Sequence, residues 1–216
     1  VTIHVCVPVL KRYDLLRELL VSLTRSDLPV DMIHVIDNGR NSVGIKTAFE
    51  GLGLHSDVHT PLRRMGVAES WNWFIKNTPA ERLITNDDVT FAPRSLGEIW
   101  ASPAPFVSCT FGFSCFLIRD SCVDRVGLFD ESISPGYAYF EDMDYLRRMR
   151  LAGVIDAVVE CGVKHVQSAT VAAYSTEELD DHNTKVLRAR ANYTAKWRSE
   201  PSLEQLDQIS TGARRP

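Results

Sequence analysis

The segment Ile3–Ser26, IHVCVPVLKRYDLLRELLVSLTRS, decides the fold. Its first part, IHVCVP, is short and rich in β-branched residues, the composition of a buried strand. Its second part sets Leu15, Leu16, Leu19, Leu20 and Leu23 at helical spacing, which predicts an amphipathic helix from Arg12 to Ser26. The same alternation then repeats. MIHVID ends in the turn signal Asp37-Asn38-Gly39, followed by a helix around Val43–Leu52 and a weaker strand over Asp57–Thr60. Val67–Asn77 reads as a helix, Arg82–Thr85 as a buried strand, and Arg94–Trp100 as a short helix entered through Pro93. Successive β/α units of this kind predict an α/β fold, a mainly parallel central sheet with helices on both faces.

After Pro105 the pattern changes. PFVSCT and SCFLIR are strand-like runs separated only by Phe111-Gly112-Phe113, too close for a crossover helix, so an antiparallel or mixed addition to the sheet is expected. A helix over Ser121–Val126 stops at Gly127, Asp130–Tyr139 is a loop containing Gly and Pro, and a helix over Glu141–Leu151 runs up to Gly153. A strand at Ala157–Glu160 and a charged helix at Thr176–Trp197 follow, before the loosely held tail PSLEQLDQISTGARRP.

Composition narrows the function classes. The 216 residues are 44% hydrophobic and 24% charged, as in an ordinary soluble globular chain. Lys+Arg is 24 against Asp+Glu 28, a net charge of −4, which argues against nucleic acid as a partner. No apolar run approaches the ~20 residues that span a bilayer, and the opening carries its charges after its apolar stretch, the reverse of a signal peptide. Cys6, Cys109, Cys115, Cys122 and Cys161 are odd in number and form no CxxC pair, so reduced, mostly buried thiols and a cytoplasmic location are expected, with peripheral contact to a membrane left open.

In open parallel sheets ligands bind beyond the carboxyl ends of the strands. The first strand ends in Pro8-Val9-Leu10-Lys11-Arg12 without glycine, and no GxxxxGK[ST] occurs, which disfavours nicotinamide and P-loop chemistry. Asp37, Asn86-Asp87-Asp88 and Glu141-Asp142-Met143-Asp144 instead bring carboxylates toward one edge. The close carboxylates of Asp87 and Asp88 repel unless a proton or cation lies between them, so they read either as a solvated turn or as hard oxygen ligands for Mg²⁺ or Mn²⁺. His165 follows the last strand and reads as an ordinary histidine or as a further ligand, whereas His4 and His34 read as structural. Asp144 suits an ion pair with Arg147 or Arg148, while Asp142 is placed to take a proton from a hydroxyl. Trp71 and Trp73 lie on one helix and cannot both face inward, so core packing is expected for that pair. The loop Ser134-Pro135-Gly136-Tyr137 is the better acceptor contact.

Taken together these segments resemble the GT-A glycosyltransferases of the family 2 type, in particular the bacterial rhamnosyltransferase-like branch. The resemblance runs from Val5 to about Trp197, through VPVLKRYDLLRELLVSL, VIDNG, MGVAESWNWFI (a G-x-A-x-x-x-N segment), LITNDDVTFAPRSL (a DXD-type motif), FGFSCFLIRDSCVDRVGLFDE, YFEDMDYLRRMRLAG, VKHVQSAT and an aromatic-Lys-Trp motif at Tyr193–Trp197. It implies a GT-A fold over 1–199, with a nucleotide-binding half (1–100), an acceptor and catalytic half (101–170), a C-terminal helix (171–199) and a tail (200–216). It further implies an inverting, metal-dependent transfer of a sugar from a nucleotide diphosphate sugar to a hydroxyl of a carbohydrate or glycan-bearing acceptor. The donor would be a UDP-hexose or dTDP-rhamnose, and the cofactor Mn²⁺ or Mg²⁺. Asp142 would be the general base, and Asp88 and His165 the metal ligands. Pro8, Val9, Leu10, Arg12, Asp37, Arg64 and Asp87 would bind the donor, with Asp37 accepting from the base N–H. Glu141, Tyr137 and Gly112 would contact the acceptor or the moving sugar. Leu10-Lys11 replaces the Tyr-Asn common in the family, and Arg64 stands where many members have Asn. Two other classes remain: nucleotidyl transfer, for which VPVLKRYD lacks a Gly-rich phosphate loop, and a non-catalytic nucleotide-sugar or carbohydrate-binding module of a larger transferase.

Overall fold

The computed structural model describes residues 2–79, 81–110, 112–166 and 174–200. Strand and helix alternate through β1 (His4–Val9), α1 (Tyr13–Leu23), β2 (Met32–Asp37), α2 (Ser42–Phe49), β3 (Ser56–His59), α3 (Val67–Asn77) and β4 (Glu81–Thr85). Then come β5 (Val89–Thr90), α4 (Ser95–Ala101), β6 (Phe106–Cys109), β7 (Gly112–Arg119), α5 (Asp120–Val126), α6 (Glu141–Leu151), β8 (Asp156–Val159), β9 (Lys164–His165) and α7 (Thr176–Trp197). The tail from 201 onward and the QSAT stretch of the VKHVQSAT segment lie outside the described residues.

One sheet has the order β3-β2-β1-β4-β7-β6-β8. The pairs β1/β2, β2/β3, β1/β4 and β6/β8 are parallel, and β7 runs antiparallel to both of its neighbours. The expected mainly parallel sheet is therefore present. The single reversal sits where the short β6–β7 connection leaves no room for a crossover.

Strand alternation divides the core into two layers. Val5, Val7 and Val9 of β1 pack with the leucines of α1, Ile45 of α2, and Leu96 and Ile99 of α4. Cys6 points the other way, toward Ala68, Trp71 and Phe74 of α3 and Tyr145 and Met149 of α6. Helices thus cover both faces. The five leucines of the opening helix are all buried, each worth about 1.5–3 kcal/mol.

Helix ends differ from expectation for local reasons. Arg12 stays outside α1, with non-helical φ −99° and ψ 65°, and its guanidinium engages Asp14 in the first turn. α2 begins at Ser42 because the Asn41 side chain accepts from the Gly44 amide at 2.9 Å. The antiparallel ribbon β5/β9, pairing Val89 with His165 and Thr90 with Lys164, was not expected. Two-residue strands leave no periodicity to read. The five cysteines are buried free thiols, and no helix among the described residues is long and apolar enough to cross a membrane.

Toward the amino ends of β1 and β2, His4 Nδ1 lies 2.9 Å from His34 Nε2 with the rings stacked at 5.2 Å. Burial holds both imidazoles below the ordinary histidine value. The unfolded chain therefore binds these protons first on acidification. The pair's contribution to stability is complete above the unfolded value and is lost as pH falls through the lowered folded values. The urea midpoint of His34→Gln should consequently fall less steeply than that of the wild type from about pH 7 to about pH 5. Parallel slopes would remove this role.

Candidate functional site

Beyond the carboxyl ends of β1 and β4 lies a cavity of about 410 Å³. Pro8, Val9 and Leu10 line it from the end of β1, Asp87 and Asp88 from the turn after β4, and His165 from β9. Arg64, Tyr137, Glu141 and Asp142 close its other sides. Asp88 and Asp142, distant in sequence, thus face one space.

Arg12, Asp37 and Gly112 are not among the residues lining this cavity. Asp37 is 1% exposed and accepts from the Tyr13 hydroxyl at 2.5 Å. Its neighbour Asn38 lines the cavity instead, and Asn38 Oδ1 accepts from the Met65 amide at 2.8 Å. The turn is tight because a Cβ on Gly39 would lie 2.1 Å from the Leu10 carbonyl oxygen and 2.3 Å from the Tyr13 hydroxyl. Arg12 is occupied by Asp14, and Gly112 uses φ 60° to start β7.

The two aspartates after β4 are 7% and 8% exposed. Burial, reinforced by the charge of Asp88, pushes the Asp87 carboxyl up to about 8. Asp88 Oδ1 is buried, and His165 Nε2 lies 3.0 Å from it. The Val166 amide donates to the Asp88 carbonyl at 3.0 Å, so the ribbon fixes this juxtaposition through the backbone. A buried carboxylate oxygen beside an imidazole nitrogen fits a divalent cation. Among the described residues no group of three His, Cys, Asp or Glu side chains is disposed to hold an ion. A cation held there would keep open positions for water and ligand oxygens, the habit of Mg²⁺.

Across the cavity, α6 begins with Glu141 and Asp142. Glu141 is 3% exposed, its Oε2 has no partner, and burial together with the Asp142 charge pushes it up to about 8. Burial also raises Asp142, whose Oδ1 accepts from the Met143 amide at 2.8 Å. A carboxylate of raised proton affinity facing a cavity is suited to accept a proton from a bound hydroxyl. Asp144 turns away, fully buried, and pairs with Arg148 at 2.8 Å as its spacing suggests.

The G-x-A-x-x-x-N segment has a legible purpose. Asn72 mimics a strand edge: its Oδ1 accepts from the Phe129 amide at 2.8 Å and its Nδ2 donates to the Phe129 carbonyl at 2.9 Å. Gly66 lets the loop before α6 approach α3, because a Cβ there would lie 2.7 Å from the Tyr137 amide nitrogen and 2.8 Å from its carbonyl oxygen. The Val67 amide donates to that same carbonyl at 2.6 Å. Gly66→Ala should cost about 1–3 kcal/mol by overpacking and weaken ligand binding in the cavity. An unfolding midpoint equal to wild type would contradict the close approach.

Trp71 is buried among Phe113, Phe116 and Phe129 while contributing to the cavity wall, and Trp73 stacks on His59 at 4.5 Å. Core packing therefore dominates for the first, and the two do face different ways. Tyr139, an aromatic expected near the cleft, lines it, whereas sequence reasoning missed Asn38, Ser70, Asn86, Ser114, Tyr174 and His182, which line it too. Asn38 and Asn86 adjoin residues that were singled out, whereas His182 lies in a run of charged residues with no distinguishing pattern.

No family model matches the chain, and no curated protein matches its sequence. Solved structures do resemble it along most of its length. A mannosyltransferase from Pyrobaculum calidifontis, in complex with GDP-Man and Mn²⁺, aligns with a TM-score of 0.61 at 16% identity over 98% of this chain and 79% of that one. Glucosyl-3-phosphoglycerate synthase from Mycobacterium tuberculosis, in complex with Mn²⁺, UDP and glucosyl-3-phosphoglycerate, aligns at 0.63 and 13% identity over 93% and 81%. TarS from S. aureus in complex with UDP-GlcNAc aligns at 0.58 and 15% identity over 98% and 71%. At these identities the likeness is one of fold, and the fold is GT-A.

Proposed function

We propose that the protein is an inverting, metal-dependent glycosyltransferase that moves a hexose from a nucleoside diphosphate sugar to a hydroxyl of a carbohydrate or glycan-bearing acceptor. One observation carries the reading: the Asp88–His165 pair and the Glu141–Asp142 pair face a single cavity at the strand ends. The nucleotide sugars and Mn²⁺ named for the similar structures support it. A UDP-hexose is the first choice of donor and dTDP-rhamnose the second.

Residues 1–100 form the nucleotide half in this reading, and residues 101–170 the acceptor and catalytic half. Pro8, Val9 and Leu10 flank the nucleotide, Asn38 takes the recognition position first expected of Asp37, and Arg64 offers a guanidinium to the diphosphate. Asp87, with Asn86 and Asp88, belongs to the DXD-type motif. Asp88 and His165 are the groups that would hold Mn²⁺ or Mg²⁺. When bound, the cation supplies Lewis-acid neutralisation of charge on the departing diphosphate.

Asp142 takes the proton from the attacking acceptor hydroxyl as that oxygen bonds to the anomeric carbon and the glycosidic bond to the diphosphate breaks. Its raised proton affinity, a consequence of burial, favours that transfer. Burial and the neighbouring Asp142 charge raise Glu141 as well, which favours its protonated form as a hydrogen-bond donor to a sugar hydroxyl. Tyr137 bounds the acceptor side.

A thermal-shift panel of nucleotide sugars with Mn²⁺ and Mg²⁺, followed by a donor-hydrolysis assay, tests the reading. Stabilisation by one donor in a cation-dependent way, with turnover, is expected. Cation-dependent binding without any turnover would instead mean a binding module, and no stabilisation by any nucleotide would remove the function altogether.

A further inference from the structure

The Tyr193–Trp197 motif contributes nothing to the cavity wall, yet it grips the helix that carries the proton acceptor. Trp197 Nε1 donates to Asp144 Oδ1 at 2.9 Å, and Lys196 Nζ lies 2.6 Å from the same oxygen. The other Asp144 oxygen accepts from Arg148 Nε at 2.8 Å. Lys196 also donates to Asp130 Oδ2 at 2.7 Å, so one ammonium ties both ends of the segment from Asp130 to Asp144. Farther along α7, the His182 Nδ1 and the Tyr137 hydroxyl are 2.8 Å apart.

That segment needs external support. Tyr139 and Phe140, immediately before α6, have φ 91° and 69°, left-handed values that bulky side chains adopt only when their surroundings impose them. Phe140 is the N-cap of α6 and offers no side-chain hydrogen bond to it. The start of α6 therefore lacks a side-chain cap of its own, although its body is packed into the core through Tyr145 and Met149. The carboxylate of Asp144 lies two residues beyond Asp142 on the same helix, so whatever orients Asp144 orients the helix start.

We infer that α7 is a positioning strut: Lys196 and Trp197, acting through Asp144, and His182, acting through Tyr137, set the α6 N-terminus so that Asp142 faces the reacting hydroxyl. The inference rests on the proposed role of Asp142. Lys196 and Trp197 are positioning residues, because they touch no part of the space a substrate would fill.

Hydrogen–deuterium exchange and donor hydrolysis on Lys196→Met, Lys196→Arg and Trp197→Phe test it. Lys196→Met and Trp197→Phe should raise exchange in peptides spanning 130–148 by about tenfold and leave β1–β4 protected. Hydrolysis kcat of the sugar nucleotide chosen by the thermal-shift panel should drop on the order of tenfold to a hundredfold, with the Kd of UDP and Mn²⁺ within about twofold of wild type. Lys196→Arg keeps the charge and should recover most of both. Unchanged exchange over 130–148, a uniform rise over the whole chain, or equal impairment of Lys196→Arg and Lys196→Met would overturn the strut. If Trp197→Phe folds poorly, the Lys196 pair still decides, since that side chain is partly exposed. A wild type that hydrolyses no sugar nucleotide overturns the functional reading alone, because exchange reads the strut without substrate.

Discussion

Asp142→Asn leaves the protein folded and able to bind nucleotide with its cation, and lowers sugar transfer by about 10²–10⁴-fold. The amide is nearly isosteric with the carboxylate, and its oxygen still accepts from the Met143 amide that lies 2.8 Å from Asp142 Oδ1. Stability should hold or improve, because the group removed is one whose ionised form burial disfavours. What disappears is the proton acceptor. Steady-state transfer alongside calorimetric nucleotide binding checks the division, and a variant keeping more than about a tenth of wild-type turnover would exclude Asp142 as the base.

Asp88→Ala has the opposite profile. It removes the buried oxygen beside His165, and with it one of the two protein groups that would hold the cation. Loss of outer contacts to a metal site already costs about 10–100-fold in affinity, so a direct ligand should cost at least that. Nucleotide binding in the presence of Mn²⁺ should fall accordingly, and binding without Mn²⁺ should change little. The fold should tolerate the change, since Asp87 is relieved of a like charge that raises its proton affinity. Titrations with UDP and Mn²⁺ that show equal losses for Asp88→Ala and Asp142→Asn would defeat the assignment of separate roles.

The architecture was largely legible because its elements are long enough to show their period. Five leucines at helical spacing identify α1, and burial of β1 on both of its faces follows from its unbroken apolar run. The ribbon β5/β9 was illegible for the converse reason, being two residues on each side. At the site, sequence reasoning located strand ends better than side-chain directions. Asp37 and Asn38 are adjacent at the end of β2 and point oppositely, and only the second reaches the cavity. Asp87, Asp88, Glu141 and Asp142 were found because acidic clusters at strand and helix ends are conspicuous. His182, 45 residues from Tyr137 in sequence, depends on how α7 docks, and no local pattern encodes docking. The same holds for Lys196 and Trp197, whose motif was visible while its object, Asp144, was not.

The pairing of Val89 with His165 also bears on the order in which the molecule is made. A nascent chain leaving the ribosome can close β1 to β4 with their crossovers early, since those contacts are sequential. Asp88 then waits, exposed, until everything up to β9 has emerged, because its partner imidazole arrives only with that short strand. Closing so large an intervening loop costs little more entropy than closing a smaller one, but it places formation of the Asp88–His165 juxtaposition after every strand of the seven-stranded sheet has emerged. Whatever ligand this pair would hold therefore meets a finished pocket only on molecules whose sheet is already complete.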